Sequence, residues 1–164
     1  MSVGLKYGLL MFAASAVMFV IRAITSGNPF DRNITWTVIA IAVSVVIIVL
    51  AQREFKNNGD GFMTYGQGFA VGFWLAVVSV VAYGVFVLLY ANVIDTNLMN
   101  TMYDAQREQM EAGGNMSDDQ IETAIGFTKK LFWPLFFIFG IIFSLITVLI
   151  ITIFTQKSNP NPAM

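Results

Sequence analysis

The chain has 164 residues, of which 57 % are hydrophobic and 12 % charged, and a net charge of −1. A soluble domain averages about 45–50 % apolar and 25 % charged residues, so this composition belongs to a membrane and leaves no room for a separate soluble catalytic domain. With no Cys and no His, thiol nucleophiles, disulfides, His-based metal centres, Ser-His-Asp triads and lipoprotein anchors are excluded, and no basic run interleaved with aromatics points to nucleic acid.

Four apolar runs, at 5–25, 34–51, 69–91 and 131–155, predict an all-α integral membrane protein with four spans in a single domain over 1–164. None of the ten Asp or Glu residues lies inside a run. This excludes proton relays, intramembrane aspartyl proteases and carboxylate ion sites, all of which need an acid at membrane depth. The first run is bounded by Lys6 and Arg22, which can snorkel to opposite interfaces. It is read as a span rather than a signal peptide, although Ala14-Ser15-Ala16 resembles a cleavage site.

Turn formers from Thr25 to Pro29 link the first two runs into an antiparallel hairpin. The second run, Ile34 to Ala51, supplies about 27 Å of helix. The connection from Gln52 to Gly66 carries Arg53, Glu54 and Lys56, then the turn Asn57-Asn58-Gly59-Asp60-Gly61.

The third connection is longer, about 39 residues from Asn92 to Lys130, and reads as an extramembrane helical hairpin over 95–130. Met99, Met102, Tyr103 and Met110 recur at helical spacing, and Gly113-Gly114-Asn115 stops that helix. Ser117-Asp118-Asp119-Gln120 opens the next helix with a capping box. Pro134 removes an amide bond to Lys130 and should bend or restart the helix where the hairpin meets span four. The tail, 156–164, is expected to be disordered.

An even number of spans places both termini and the Gln52–Gly66 connection on one side. Lys and Arg divide four to five between the two sides and Asp and Glu two to eight, which favours cytoplasmic termini.

Gly68, Gly72, Ala76 and Gly84 share one face of span three, and Gly140 with Ser144 repeats the small-xxx-small pattern in span four. Such stripes let helices approach closely in lipid, either within one bundle or against a partner protein. Gly4 and Gly8 are a weaker example. Gln67, an amide entering a span, needs a partner on another helix or another chain. Arg22, Arg32, Lys129 and Lys130 gather at the outer interface as a candidate site for an anionic lipid phosphate.

The four spans, the passage GFMTYGQGFAVGFW from Gly61 to Trp74, the Ile94-Asp95 start of the long loop and the late MSDDQIE segment resemble domain-of-unknown-function family 4199 over nearly the whole chain. These are small multi-span membrane proteins, mainly of Bacteroidota. The family pattern has a Ser-Phe-Gly-Gln-like run and an Asp-Pro, whereas this chain has Thr64-Tyr65-Gly66-Gln67 and Asp95-Thr96. That departure removes a rigid turn but leaves Asp95 as a helix cap.

The resemblance carries no activity. It implies a setting beside glycosyltransferases of the bacterial inner membrane, hence an accessory role in envelope glycan or lipid-linked sugar metabolism. The expected function is a non-enzymatic inner-membrane scaffold or accessory subunit without a cofactor. Its expected partners are membrane lipids and either a second copy or another inner-membrane protein such as a glycosyltransferase. The alternative is a small oligomeric lipid or solute translocator that receives an anionic head group. An enzyme ranks third, because interfacial carboxylates such as Glu54 and Asp95 have no evident nucleophile or metal partner.

Overall fold

The computed structural model describes residues 2–31 and 33–159. Five α-helices follow in order: α1 Val3–Ser26, α2 Ile34–Asn58, α3 Tyr65–Leu89, α4 Leu98–Gly113 and α5 Asp118–Thr155, with one π-helical turn, Tyr90–Ile94, after α3. No strand occurs among the described residues. Four helices (α1, α2, α3 with its π turn, and α5) are long and apolar enough to cross a membrane. The chain is therefore an all-α, multi-pass membrane bundle. Its outward side chains include Ile24, Ile34 and Phe154, each more than three-quarters exposed. In water this would be a liability, whereas in a bilayer it is the lipid-facing surface.

Local chemistry sets the helix ends. The Asn33 side chain accepts from the amides of Thr35 and Trp36 at 2.9 and 3.3 Å and starts α2. Thr64 and Gln67 form a capping box on α3: the Gln67 amide donates to Thr64 Oγ1 at 3.3 Å, and Gln67 Oε1 accepts from the Thr64 amide at 2.8 Å. Gly27 ends α1 and Gly114 ends α4, each in the left-handed region, where a Cβ would be strained.

The predicted hairpin is a folded pair, α4 against the start of α5. Tyr103, Ile121 and Ile125 form its core with Met99, Met102 and Met110 packed around them, and Arg107 bonds Glu122 across the pair. Gln120 Oε1 accepts from the Ser117 amide at 2.9 Å, the return half of the expected capping box. Leu98, fully buried, joins Phe19, Val87 and Ala91, so the hairpin stacks on the end of the bundle.

Two expectations are corrected here. The helix is not restarted at Pro134: the second hairpin helix and span four are one 38-residue helix. Proline costs the Lys130 carbonyl one partner, yet the helix runs on through it. The tail is also ordered at its start, since Lys157 and Met63 exchange backbone hydrogen bonds of 2.9 Å each way. Residues 160–164 lie outside the described residues.

Packing within the bundle divides at mid-depth. On the side of the termini the core is aliphatic, with Met11, Ile47, Ile48, Ala51, Leu75 and Val148. On the hairpin side it is aromatic, with Phe19 in edge-on contact with Phe30, Tyr83, Phe86 and Tyr90 at centroid distances of 5.2–6.1 Å.

Candidate functional site

The small-residue stripes are consumed inside the bundle. A methyl at Gly72 would fall inside the contact radius of Val148, one at Gly84 inside that of Phe137, and one at Gly68 2.7 Å from Thr152 Cγ2. The stripe on α3 therefore meets α5 of the same chain, and Gly140 faces back towards Val80, with 3.1 Å available to a Cβ. The weaker pair proves equally tight: a Cβ on Gly4 would lie 2.9 Å from the Val71 carbonyl and one on Gly8 3.0 Å from that of Leu75. This is what allows α1 and α3 to pack along their length.

Gln67 does not bridge helices within the chain. Its amide is spent on the cap of its own helix and is exposed. The buried amide is Gln52, with no exposed surface, which donates to Thr152 Oγ1 at 2.7 Å and to the Gly68 carbonyl at 3.3 Å. Thr155 donates its hydroxyl to Gln52 Oε1, so one side chain ties α2, α3 and α5 together. Gln52 follows Ile48 by one turn on the buried face of α2. That periodicity was the available signal, masked by the charged residues Arg53, Glu54 and Lys56 that make the segment look like a loop. Of the carboxylates weighed for catalysis, Glu54 is held by Lys6 at 2.5 Å and Tyr7 at 2.9 Å. Asp95 accepts from the Asn97 amide at 3.1 Å in the turn before α4.

Between α2 and α5 lies a groove of about 910 Å³, near the upper end of the usual ligand-pocket range of about 300–1,000 Å³. It exists because α2 buries no residue before Ile47, so its first half does not close against α5. Trp36, Ala40, Ser44 and Ile48 line one wall, and Leu131, Leu135, Phe139 and Phe143 line the other. Leu75, Ala76, Ser79 and Tyr83 of α3 and Met11 and Ser15 of α1 form the floor. Most hydroxyls on these walls are turned inward to their own helices: Ser44 donates to the Ala40 carbonyl at 2.8 Å, Ser79 to Ala76 at 3.0 Å and Thr147 to Phe143 at 2.9 Å. The lining is thus largely apolar. Leu131, Leu135, Phe139 and Phe143 are also 41–66 % exposed, so the groove opens sideways towards lipid.

Arg22 is the one cation lining this groove among the described residues. It donates to the Asp31 carbonyl, one bond for a group with five N–H donors, and no carboxylate among the described residues pairs with it. The structure does not bring the other predicted cations into the groove. Lys129 sits over the Tyr103 ring at 5.3 Å, on a phenol whose pKa burial pushes up. Lys130 is exposed beyond the lining, and Arg32 lies outside the described residues. Of the sites read from sequence, Arg22, Ala76, Gly140 and Ser144 meet at the groove.

No curated protein and no solved structure matches the chain. The family model described as a protein of unknown function, DUF4199, matches residues 6–157, and on that match, which covers the groove and the four membrane helices apart from the first residues of α1, the chain belongs to the DUF4199 family.

Proposed function

We propose that this protein is a non-enzymatic lipid-handling subunit of the bacterial inner membrane, with both termini cytoplasmic, that holds an anionic lipid between α2 and α5. The observation that carries this reading is the apolar, laterally open groove of about 910 Å³ with Arg22 among its lining residues. Hydrocarbon fits walls most of whose hydroxyls are bonded to their own helices, and a phosphate fits a guanidinium without a carboxylate partner. The scaffold reading loses support where it was strongest, because the small-residue stripes face the chain's own helices. The accessory role suggested by the family setting fits a protein that stores or presents a lipid-linked intermediate.

Lipid analysis of protein purified in mild detergent tests the proposal. A phosphate-bearing lipid, either a phospholipid or a polyprenyl phosphate, should co-purify in near-stoichiometric amount. It should be lost from Ala40→Trp, which fills the groove wall, and from Arg22→Gln. Bulk phospholipid retained equally by all three proteins would sink the idea.

A further inference from the structure

The groove ends before it reaches the termini side of the bundle. Its last lining residues there are Met11, Ile48, Leu75 and Val148. One turn beyond Ile48 and Val148 stand Gln52 and Thr152, both without exposed surface and bonded to each other. Thr155 and the Gly68 carbonyl complete this plug across three helices. A second layer lies beneath it: Lys56 Nζ donates to the Thr155 carbonyl at 2.9 Å, and the Met63–Lys157 bridge pins the end of α5 to the start of α3.

Among the described residues the hairpin-side end has no such tie. There α2 has no fully buried residue, and Arg22, near the end of α1, stands with Trp36 and Thr128 at the margin of the groove. A head group moving from Arg22 towards the termini would have to part the Gln52 bonds in a medium that offers no water to replace them.

We propose that the groove is a one-sided site for an anionic phospholipid: it takes the lipid from the hairpin-side leaflet, places the head group at Arg22 and does not pass it to the other leaflet. This rests on the lipid-binding reading above and adds the leaflet and the closed end. The occupant comes from the bilayer because the open wall, Leu131 to Phe143, faces it. It is anionic because the sole cation lining the described groove lacks a carboxylate partner.

The test uses the full chain in phosphatidylcholine vesicles, sorted by orientation through a single cysteine, Asn115→Cys, in a protein with no native Cys. Phosphatidylglycerol with a photoactivatable acyl chain is added to the outer leaflet. Groove residues of α2 and α5 should be labelled several-fold more strongly when the hairpin faces outward than when it faces inward. Dithionite quenching of a fluorescent phosphatidylglycerol should proceed no faster than in protein-free vesicles. Equal labelling from both sides, or accelerated exchange, would overturn the one-sided site while leaving lipid binding intact. A phosphatidylcholine probe that labels as strongly as phosphatidylglycerol would overturn the anionic occupant. No groove labelling in either orientation would refute the lipid-binding reading itself.

Discussion

Gly72→Ala should destabilise the bundle, and the structure says by how much and against what. The new methyl would lie 2.8 Å from Cγ2 and 3.0 Å from Cβ of Val148, and closer still to Cγ1. Val148 is fully buried and β-branched, so it has essentially one helical rotamer and cannot swing aside. The remaining relief is to move α3 and α5 apart, and a gap of about 0.5–1 Å forfeits a quarter to a half of each dispersion contact it opens. Overpacking of this kind costs about 1–3 kcal/mol, against a helix-propensity gain of about 1 kcal/mol for replacing glycine. Because this overlap lies in the severe part of the range, the net loss should be about 2 kcal/mol.

Three comparisons isolate the cause. Gly140→Ala meets Val80 at 3.1 Å and should be near neutral. Gly126→Ala meets nothing within 4 Å and should stabilise by up to about 1 kcal/mol. Gly72→Ala combined with Val148→Ala should cost less than the sum of the two single changes by at least about 1 kcal/mol. Far-UV circular dichroism during SDS titration of the detergent-solubilised protein measures these variants and Val148→Ala alone. Additivity of the Gly72 and Val148 changes within about 0.5 kcal/mol would refute this account of the stripe.

Gln52→Leu should cost only about 1–2 kcal/mol, since interhelical hydrogen bonds in membranes average about 0.6 kcal/mol each. Thr152 keeps its bond to the Val148 carbonyl at 2.7 Å, and Thr155 turns its hydroxyl from Gln52 to the Ile151 carbonyl at 3.0 Å; a loss above about 3 kcal/mol in the same titration would contradict this. In lipid-retention assays Arg22→Gln should lose the anionic lipid, while the Lys129→Ala/Lys130→Ala double variant keeps it, and the reverse order would move the head group to the lysines. Cysteine at Asn115 should react with an impermeant maleimide in intact spheroplasts and cysteine at Asn58 only after lysis; the opposite pattern would invert the proposed orientation.

Much of the architecture was legible in the chain itself because it rests on short-range physics. Apolar runs long enough to cross a bilayer, carboxylates confined to their flanks, the caps at Ser117 and Gln120, the glycine stop after α4 and the Met stripe of the hairpin are all local, and each appears in the structure. The small-residue stripes were visible for the same reason: periodicity marks a close-packed face, though not the helix it meets.

What only the tertiary structure decided is which side chains meet across helices. Gln52 and Thr152 are 100 positions apart, and the length of Gln67 and its place in a run suited it to the same role until the capping box claimed it. Arg22, Lys129 and Lys130 share an interface by sequence, yet the rotation of α5 places the lysines away from the groove and leaves Arg22 on its margin. The groove itself follows from α2 having its fully buried residues only in its second half, a placement set by the sum of many weak contacts on its neighbours. In a bilayer apolar side chains gain little by choosing protein over lipid, so helix orientation is decided by the few close approaches at glycines and the few buried hydrogen bonds, and these exist only once the helices are assembled.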